Sequence, residues 1–376
     1  MKIGILTYPL NNNYGCYLQS YALLHFLREK GCEAEYIFRR HDRPSISFYI
    51  RYALSTLIKN VKNRVWNSLL YDVEWHYMQK KGGRLYPFFE NNIVPHTVPI
   101  YTTLQLKKVC ADYDVIIVGS DQVWRAEILS NIEDYFLVFL GGKPVRRIAY
   151  AASFGKGDPR FTKSQIISCG KAISKFDAVS VREDVGLDII RGFNWKCPIC
   201  QVVLDPTLLL SKEDYLPFAR DKMYPTTVFG YLLDQSEQKE SILNDVSEMM
   251  NIDSYNIIKG SNEAGFNYPP VSQWLGYLSK AKFVVTDSFH GMAFSIIFNK
   301  PFFVIVNFER GASRFTSLLK MFDLEDRILQ EPEDLDKLIN NDINWERVNS
   351  LLLKKRKESV DFLMNSINIK SSEIKK

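Results

Sequence analysis

The chain has 376 residues, of which 46% are hydrophobic and 24% charged, and its net charge is +5. This length exceeds what one core usually organises, so two α/β domains are expected, and the composition excludes wholesale disorder. The basic residues are scattered and form no nucleic-acid module, so no nucleic-acid partner is expected.

The six cysteines lack the spacing of a disulfide framework, and no run of about 18 apolar residues occurs. The N-terminus enters an apolar run without a signal-peptide layout. We therefore expect a cytoplasmic protein with reduced thiols. No His/Asp/Glu group has evident ligand spacing, so neither a metal nor a cofactor is expected.

The first half alternates short apolar runs with helical periodicity. Residues 3–7 predict a strand, residues 16–30 a helix and residues 34–38 a second strand, which together form a βαβ unit. Continuous apolar runs of the kind found in strands covered on both faces then follow at residues 115–118, 148–151, 178–181 and 202–204. The sequence thus predicts a parallel sheet.

The second half repeats this alternation after a charged stretch that ends near Pro225. Strands are predicted at residues 228–233, 254–258, 283–286 and 302–306, with helices at 237–250, 271–280 and 291–298. A charged amphipathic helix begins at Trp345. We predict an N-terminal Rossmann-like domain over residues 1–210, a C-terminal one over 220–345, and a helix and tail over 346–376.

Residues 43–71 contain no acidic residue and combine cations with aromatic and aliphatic side chains. Arg51, Lys59, Lys62 and Arg64 supply the charge. This mixture suits a helix at a membrane interface, and peripheral membrane contact is one interpretation. A helical insertion packed on its own domain is the simpler one.

Residues 284–293 place polar side chains where a buried strand ends and a helix begins. Open α/β sheets bind ligands at such ends, and the free N–H groups of the first helical turn favour phosphate. His290 can donate to an anion or move a proton there, and Gly291 can allow close approach of a ligand. Alternatively, the segment is an ordinary turn capped by Asp287 or Ser288, with His290 satisfied by neighbours.

A second polar turn, Gly119-Ser120-Asp121, follows another apolar strand. Asp121 can accept a proton from a sugar hydroxyl, and Trp124 offers a flat face for a sugar ring. Alternatively, Asp121 caps the next helix and Trp124 belongs to the core.

The loop after the first strand carries Asn13 and Tyr14, ahead of Gln19. Amide side chains suit sugar hydroxyls, although asparagine runs also simply form turns. The loop lacks the GxGxxG pattern, so a dinucleotide is not indicated.

Three arginines follow predicted strands. Arg182 comes after residues 178–181, and Arg310 and Arg314 come after residues 302–306. Guanidinium groups hold carboxylate and phosphate in bidentate geometry. Each arginine taken alone is as easily explained as a solvated surface residue.

Six segments, in this order along the chain, resemble the polysaccharide pyruvyl transferase family. They are Asn12-Asn13-Tyr14-Gly15 with Gln19, Val118-Gly119-Ser120-Asp121-Gln122-Val123-Trp124, Tyr150-Ala151-Ala152-Ser153-Phe154-Gly155, Ser180-Val181-Arg182-Glu183, Leu204-Asp205-Pro206-Thr207 and Ser288-Phe289-His290-Gly291. The resemblance implies two Rossmann-like domains facing each other across a cleft, as in GT-B glycosyltransferases. It also implies a transferase that moves the pyruvyl group of phosphoenolpyruvate onto a sugar of a cell-surface polysaccharide or exopolysaccharide.

The resemblance also implies roles for residues. His290 and Arg182 match family positions that hold the donor, and Asp121 matches an acidic position that we assign to the acceptor. Some family members carry an arginine where this chain has Ser288, so either Arg310 or Arg314 replaces it from the next loop or the donor differs. The expected arrangement puts phosphate on the helix near Gly291 and the donor carboxylate on Arg182 and Arg314.

In that arrangement Asp121 deprotonates the acceptor hydroxyl and His290 assists the departure of phosphate. The acceptor is a saccharide or a lipid-linked saccharide. Two other functions remain open from the sequence: a GT-B glycosyltransferase that uses a nucleotide sugar, and a non-catalytic glycan-binding or assembly protein.

Overall fold

The computed structural model describes residues 1–40, 46–64, 69, 83–219, 223–234, 236–258, 268–306 and 311–368. Its described strands form two parallel sheets. The first sheet has the order β2-β1-β3-β4-β5-β6. Its strands are β1 Lys2–Leu6, β2 Glu33–Tyr36, β3 Val115–Gly119, β4 Arg146–Ala152, β5 Ala178–Val181 and β6 Cys200–Val202.

The second sheet has the order β10-β9-β7-β8. Its strands are β7 Val228–Tyr231, β8 Ser254–Asn256, β9 Phe283–Thr286 and β10 Phe302–Val304. Every pairing is parallel, with Leu6 opposite Val118 in the first sheet and Tyr231 opposite Thr286 in the second. Parallel pairing brings the carboxyl ends of neighbouring strands to one edge of each sheet.

Helices connect the strands and cover the sheets, as a parallel sheet requires. The described α-helices are α1 Tyr14–Glu29, α2 Ile46–Asn63, α3 Tyr86–Asn92, α4 Thr103–Val109, α5 Lys163–Ile173, α6 Asp184–Gly192, α7 Lys212–Tyr215, α8 Glu237–Met250, α9 Val271–Lys280, α10 Phe289–Ile297, α11 Ser313–Met321, α12 Leu335–Asn340 and α13 Trp345–Asn368. Within the described ranges, no helix combines the length and apolarity needed to cross a bilayer.

The predicted α/β class with parallel sheets is confirmed. The last predicted strand of the first sheet is displaced, since β6 ends at Val202 and not at Leu204. The strand begins early because Val179 pairs with Cys200. The boundaries that we predict for the domains stay a prediction.

Contacts of helices α1 and α13 help to connect the halves of the chain. The Tyr14 ring of α1 stacks on Trp274 of α9 with centroids 5.3 Å apart, and its hydroxyl donates to Pro269 O at 2.8 Å. The C-terminal helix α13 returns to the first half, where Leu204 N donates to Ser359 Oγ at 3.0 Å. The carboxyl edge of the first sheet is thereby held close to the start of α10.

Candidate active site

Asp121 stands two residues beyond β3, at the carboxyl edge of the first sheet. Its φ of 62° lies in the left-handed region, which aspartate tolerates better than most residues. The preceding turn is fixed because Thr7 Oγ1 donates to Ser120 O at 3.1 Å and Ser120 Oγ donates to Ala151 O at 3.0 Å. The Asp121 carboxylate is therefore held in one position near the start of α1.

Three neighbours donate to the Asp121 carboxylate. Arg182 Nη2 lies 3.2 Å from Oδ1, Gln122 N lies 2.9 Å from Oδ1, and the Cys16 thiol lies 3.2 Å from Oδ2. Burial acts to raise the pKa of Asp121, but Arg182, His290, the thiol and Arg314 together outweigh burial and lower it. Asp121 is therefore a carboxylate at neutral pH.

Arg182 is buried next to the Asp121 carboxylate. Its side chain is 0% exposed and pairs with Asp205 at 2.9 Å, Asp121 at 3.2 Å and Glu183 at 3.6 Å. Its guanidinium also lies 4.5 Å from the centre of the Phe289 ring. The expectation that Arg182 contacts the donor stays a prediction, and in this structure neighbouring carboxylates already pair with the guanidinium.

His290 is the second residue of α10 and faces the first half of the chain. Its Nε2 lies 3.9 Å from Asp205 Oδ2 and makes no hydrogen bond to the described residues. The ring lies against Gly15, because a Cβ added there would be 1.9 Å from His290 Nδ1. Burial, together with Arg182 and Arg314, lowers the pKa of His290, although Asp205 and Asp121 act to raise it. The imidazole is therefore neutral near pH 7.

The turn before α10 is built by its own side chains. Ser288 Oγ accepts from Gly291 N at 3.4 Å and caps the helix. Asp287 accepts from Leu233 N at 2.6 Å and from Lys239 Nζ at 2.6 Å, which ties α10 to the loop after β7. Gly291 lies on Thr286, where a Cβ would be 2.2 Å from Oγ1. The glycine therefore serves helix–strand packing, and its expected role in ligand approach stays a prediction.

A cavity of about 230 Å³ opens between the two halves at these carboxyl edges. Its lining residues are Asn13, Asp121, Gln122, Arg125, Leu233, Asp287, Ser288, Phe289, His290 and Arg314. A larger cavity of about 540 Å³ lies at the amino ends of β3 and β4. The smaller cavity is the better candidate because open α/β sheets bind ligands at their carboxyl edges.

Arg314, on α11, is the buried cation of the cavity, with 8% of the residue exposed. Burial and the nearby Arg182 lower its pKa to about 10, so it stays charged at neutral pH. Arg125 also lines the cavity, and its Nη1 donates to Gln122 Oε1 at 2.7 Å. Arg310, the alternative cation, lies outside the described residues.

Four of the predicted binding residues are buried and have no exposed surface. Tyr14, Gln19, Ser120 and Trp124 are each 0% exposed. Trp124 stacks on Phe136 with centroids 4.8 Å apart and donates to Tyr135 O at 3.0 Å, so the expected sugar platform is a core residue. Gln19 Nε2 donates to Thr7 Oγ1 at 2.8 Å and so holds the turn before Asp121. Of the first loop, Asn13 reaches the cavity.

Sequence reasoning missed Asp205, which contacts both His290 and Arg182. The residue occurs in the segment Leu204-Asp205-Pro206-Thr207, but nothing in its spacing gave it a role. The expectation that no metal is bound stays a prediction, and the fold brings together one group of residues that the sequence spacing did not show. His25, Glu29 and Asp214 offer ligand atoms within 4.8 Å of one another, and Asp214 is too remote in sequence to have been grouped with them.

The fold is GT-B-like, with two parallel sheets and a cavity between their carboxyl edges. A UDP-GlcNAc 2-epimerase from Methanocaldococcus jannaschii superimposes with a TM-score of 0.53 at 11% identity, covering 97% of this chain and 99% of that one. The glycotransferase of kitacinnamycin superimposes with a TM-score of 0.50 at 12% identity, covering 97% of each chain. At such low identity these likenesses show the fold alone.

A family model described as polysaccharide pyruvyl transferase matches residues 13–308. The chain therefore belongs to the polysaccharide pyruvyl transferase family, as the six segments indicated. No curated protein matches it in sequence.

Proposed function

We propose that this protein transfers the pyruvyl group of phosphoenolpyruvate to a saccharide of a cell-surface polysaccharide or exopolysaccharide and forms a ketal. Membership of the family supports the reaction class. The observation that carries the proposal is the cavity, where a buried arginine, a buried histidine and a helix start face one carboxylate. At about 230 Å³ it lies below the roughly 300–1,000 Å³ of drug-sized ligands, which suits a small phosphorylated acid better than a nucleotide sugar.

The donor's two anionic groups need two cationic environments. We place its phosphate at the start of α10, beside His290, because a helix N-terminus favours phosphate. Its carboxylate then pairs with Arg314, which is buried and charged and can bind in bidentate geometry. Arg182 takes a different role from the one first expected, since its contacts hold Asp121 and Asp205 in place.

The reaction joins C2 of the donor to two hydroxyls of the acceptor. A proton from solvent adds to the methylene carbon and makes C2 electrophilic, and the first hydroxyl attacks C2 while Asp121 accepts the hydroxyl proton. The second hydroxyl then attacks C2 and gives its proton to solvent, while the C2–O bond to phosphate breaks and His290 protonates the bridging oxygen that leaves. General acid–base groups of this kind contribute about 10²–10⁴-fold each.

His290 is suited to the second step only when the donor is bound. Burial keeps the imidazole neutral in the ligand-free protein. A phosphate dianion beside it raises the pKa of His290, because an opposite charge favours the protonated ring. The bound donor thus converts His290 into the acid that protonates the leaving phosphate.

We assign the acceptor, a saccharide or a lipid-linked saccharide, to the side of residues 1–210 and the donor to the side of residues 220–345. Asp121, the proposed acceptor base, comes from the first of these regions. Arg314 and His290 come from the second.

A ligand panel tests the proposal. Phosphoenolpyruvate should raise the thermal unfolding midpoint, whereas UDP- and GDP-sugars should not. His290→Ala should lower phosphate release by at least about a hundredfold, and His25→Ala on α1 is its matched control. Stabilisation by a nucleotide sugar alone would point to a glycosyltransferase, and glycan binding that survives His290→Ala without phosphate release would point to a non-catalytic protein.

A further inference from the structure

Helix α2 presents an apolar face to solvent. Six large apolar side chains on it are 41–79% exposed, namely Ile46, Ile50, Leu54, Leu57, Ile58 and Val61. They follow one another at intervals of three or four residues, except for the adjacent pair Leu57 and Ile58, and therefore occupy one side of the helix. A helix of a soluble core normally turns such a face inward.

The opposite side of the same helix meets the protein. Thr56 is 7% exposed and Asn60 is 2% exposed, and Tyr49, Tyr52 and Ala53 are half-buried. The helix thus contacts the protein through these residues and keeps its apolar face outward. A contiguous exposed apolar face of this kind marks an interaction surface, in contrast to single exposed apolar residues, which are normal.

The charges around this face have a single sign. Arg51, Lys59, Lys62 and Arg64 are exposed, and no acidic residue occurs from 43 to 71. A symmetric pairing of two copies through α2 would bring these cations together and repel. An anionic bilayer instead satisfies both features, because its acyl region takes the apolar face and its headgroups attract the cations.

We propose that α2 lies in the surface of an anionic phospholipid membrane, with its apolar face in the headgroup and acyl boundary. The helix does not span the bilayer. It anchors the protein peripherally, parallel to the membrane plane. The simpler interpretation of residues 43–71, a helical insertion packed on its own domain, leaves the exposed apolar face of α2 without a role.

The anchor lies near the cavity edge of the first sheet. The chain leaves β2 at Tyr36, the carboxyl end of that strand, and the buried Arg40 precedes Ile46 by six residues, or about 20 Å at most. The first turn of α2 therefore lies within about 20 Å of Arg40, which follows the carboxyl end of β2. The consequence that the acceptor is lipid-linked rests on the proposed function, whereas membrane binding itself does not.

Vesicle flotation of the full chain tests the anchor without any catalytic readout. The protein should float with vesicles of phosphatidylcholine and phosphatidylglycerol at low salt and bind less well at high salt. Vesicles of phosphatidylcholine alone should bind it much more weakly. If the protein fails to float with anionic vesicles at low salt, the proposal is wrong.

Two variants test the apolar side chains and the cations of α2 separately. Ile50→Ser with Leu54→Ser should weaken binding at least about tenfold, since both side chains are 55% exposed and would enter the bilayer. Arg51→Gln, Lys59→Gln and Lys62→Gln together should weaken it on the order of a hundredfold, at about fivefold for each cation. Neither variant touches the cavity.

The matched control is Ile167→Ser with Leu353→Ser, which removes apolar side chains that are 59% and 63% exposed on α5 and α13. The control should float like the unmodified protein. Equal binding by the face variant and the control contradicts the proposal. A change in oligomeric state of the face variant, measured by light scattering, also contradicts the proposal, because the apolar face would then be an interface between copies of the chain.

Discussion

His290 Nε2 lies 3.9 Å from Asp205 Oδ2, so the imidazole from the second sheet meets a carboxylate from the end of the first. Asp205 is itself fixed, because its Oδ1 accepts from Thr207 N at 3.0 Å and from Thr207 Oγ1 at 2.8 Å. The side chain is 0% exposed. Because the Asp205 carboxylate is held in one position next to the imidazole, its charge influences the pKa of His290.

Asp205→Asn should shift the pH profile of phosphate release. The Asp205 carboxylate acts to raise the pKa of His290, so its removal lowers that pKa further. If His290 acts as an acid, the pH above which activity declines should move down by about one unit, and activity near neutral pH should fall about tenfold. The profile is measured as kcat against pH at saturating donor.

A purely structural role for Asp205 predicts a different result. Asp205 also pairs with Arg182, so the variant can lose stability, and thermal unfolding must be followed in parallel. A rate that falls equally at every pH, with no shift of the profile, would show that Asp205 only supports the fold.

His290 should also make folding stability depend on pH. Because burial lowers its pKa from 6.5, the unfolded chain takes up a proton below about pH 6.5 before the folded chain does. Stability should therefore fall with acidification from about pH 7.5 to about pH 5. His290→Asn should reduce this loss by on the order of 1 kcal/mol, measured by urea unfolding at both pH values.

The unmodified protein and the His290→Asn variant must be compared, because other groups also make the stability depend on pH. Burial raises the pKa of Glu183, so the contribution of Glu183 to stability increases as the pH falls, which is opposite to the effect of His290. This contribution is present both in the unmodified protein and in the variant. It therefore cancels in the difference. An identical pH dependence in the two proteins would mean that His290 keeps its ordinary pKa.

The architecture was predictable because buried parallel strands have a strong signature. The runs at residues 115–118 and 283–285 are continuous in apolar residues and lie in β3 and β9. Strand ends were less certain, as β6 shows. Helix α6 was not predicted, because only Gly186, Ile189 and Ile190 are buried in it and its apolar pattern is short.

The positions of the site residues along the chain were predicted better than the contacts that their side chains make. Asp121, His290 and Arg314 were named from their places after strands, and all three line the cavity. Trp124 and Arg182 follow strands in the same way but face inward. Position after a strand locates the edge of the sheet, whereas the direction of a side chain depends on packing by residues distant in sequence.

Arg314→Met should separate stability from donor binding. Burial lowers the pKa of Arg314 from 12.5 to about 10, so the charged side chain costs the ligand-free fold about 3 kcal/mol. Removal of the charge should raise the unfolding midpoint without ligand. It should also weaken phosphoenolpyruvate about 10–100-fold, because charge-assisted hydrogen bonds contribute about 1.5–3 kcal/mol. Thermal shift with and without phosphoenolpyruvate measures both effects.

Arg160→Met is the control for Arg314→Met, because the Arg160 side chain is 76% exposed and pairs with Glu127 at the surface. It should change neither the midpoint nor donor affinity by much. An Arg314→Met protein that binds the donor normally would remove Arg314 from the donor site.

Gly15→Ala should impair catalysis although it removes no functional group. The new Cβ would lie 1.9 Å from His290 Nδ1 and 2.3 Å from Cε1, so the imidazole must move. A displacement of about 1 Å at a reacting group can cost about a hundredfold in rate, and kcat for phosphate release should fall by at least about tenfold.

Gly192→Ala supplies the matched control, because nothing lies within 4 Å of the added Cβ at the end of α6. Its rate should equal that of the unmodified protein. Normal turnover by a folded Gly15→Ala protein would mean that the reaction does not depend on where the imidazole lies. His290 would then be a residue of the interface between the sheets, and the acid in the proposed reaction would have to be sought among the other groups of the cavity.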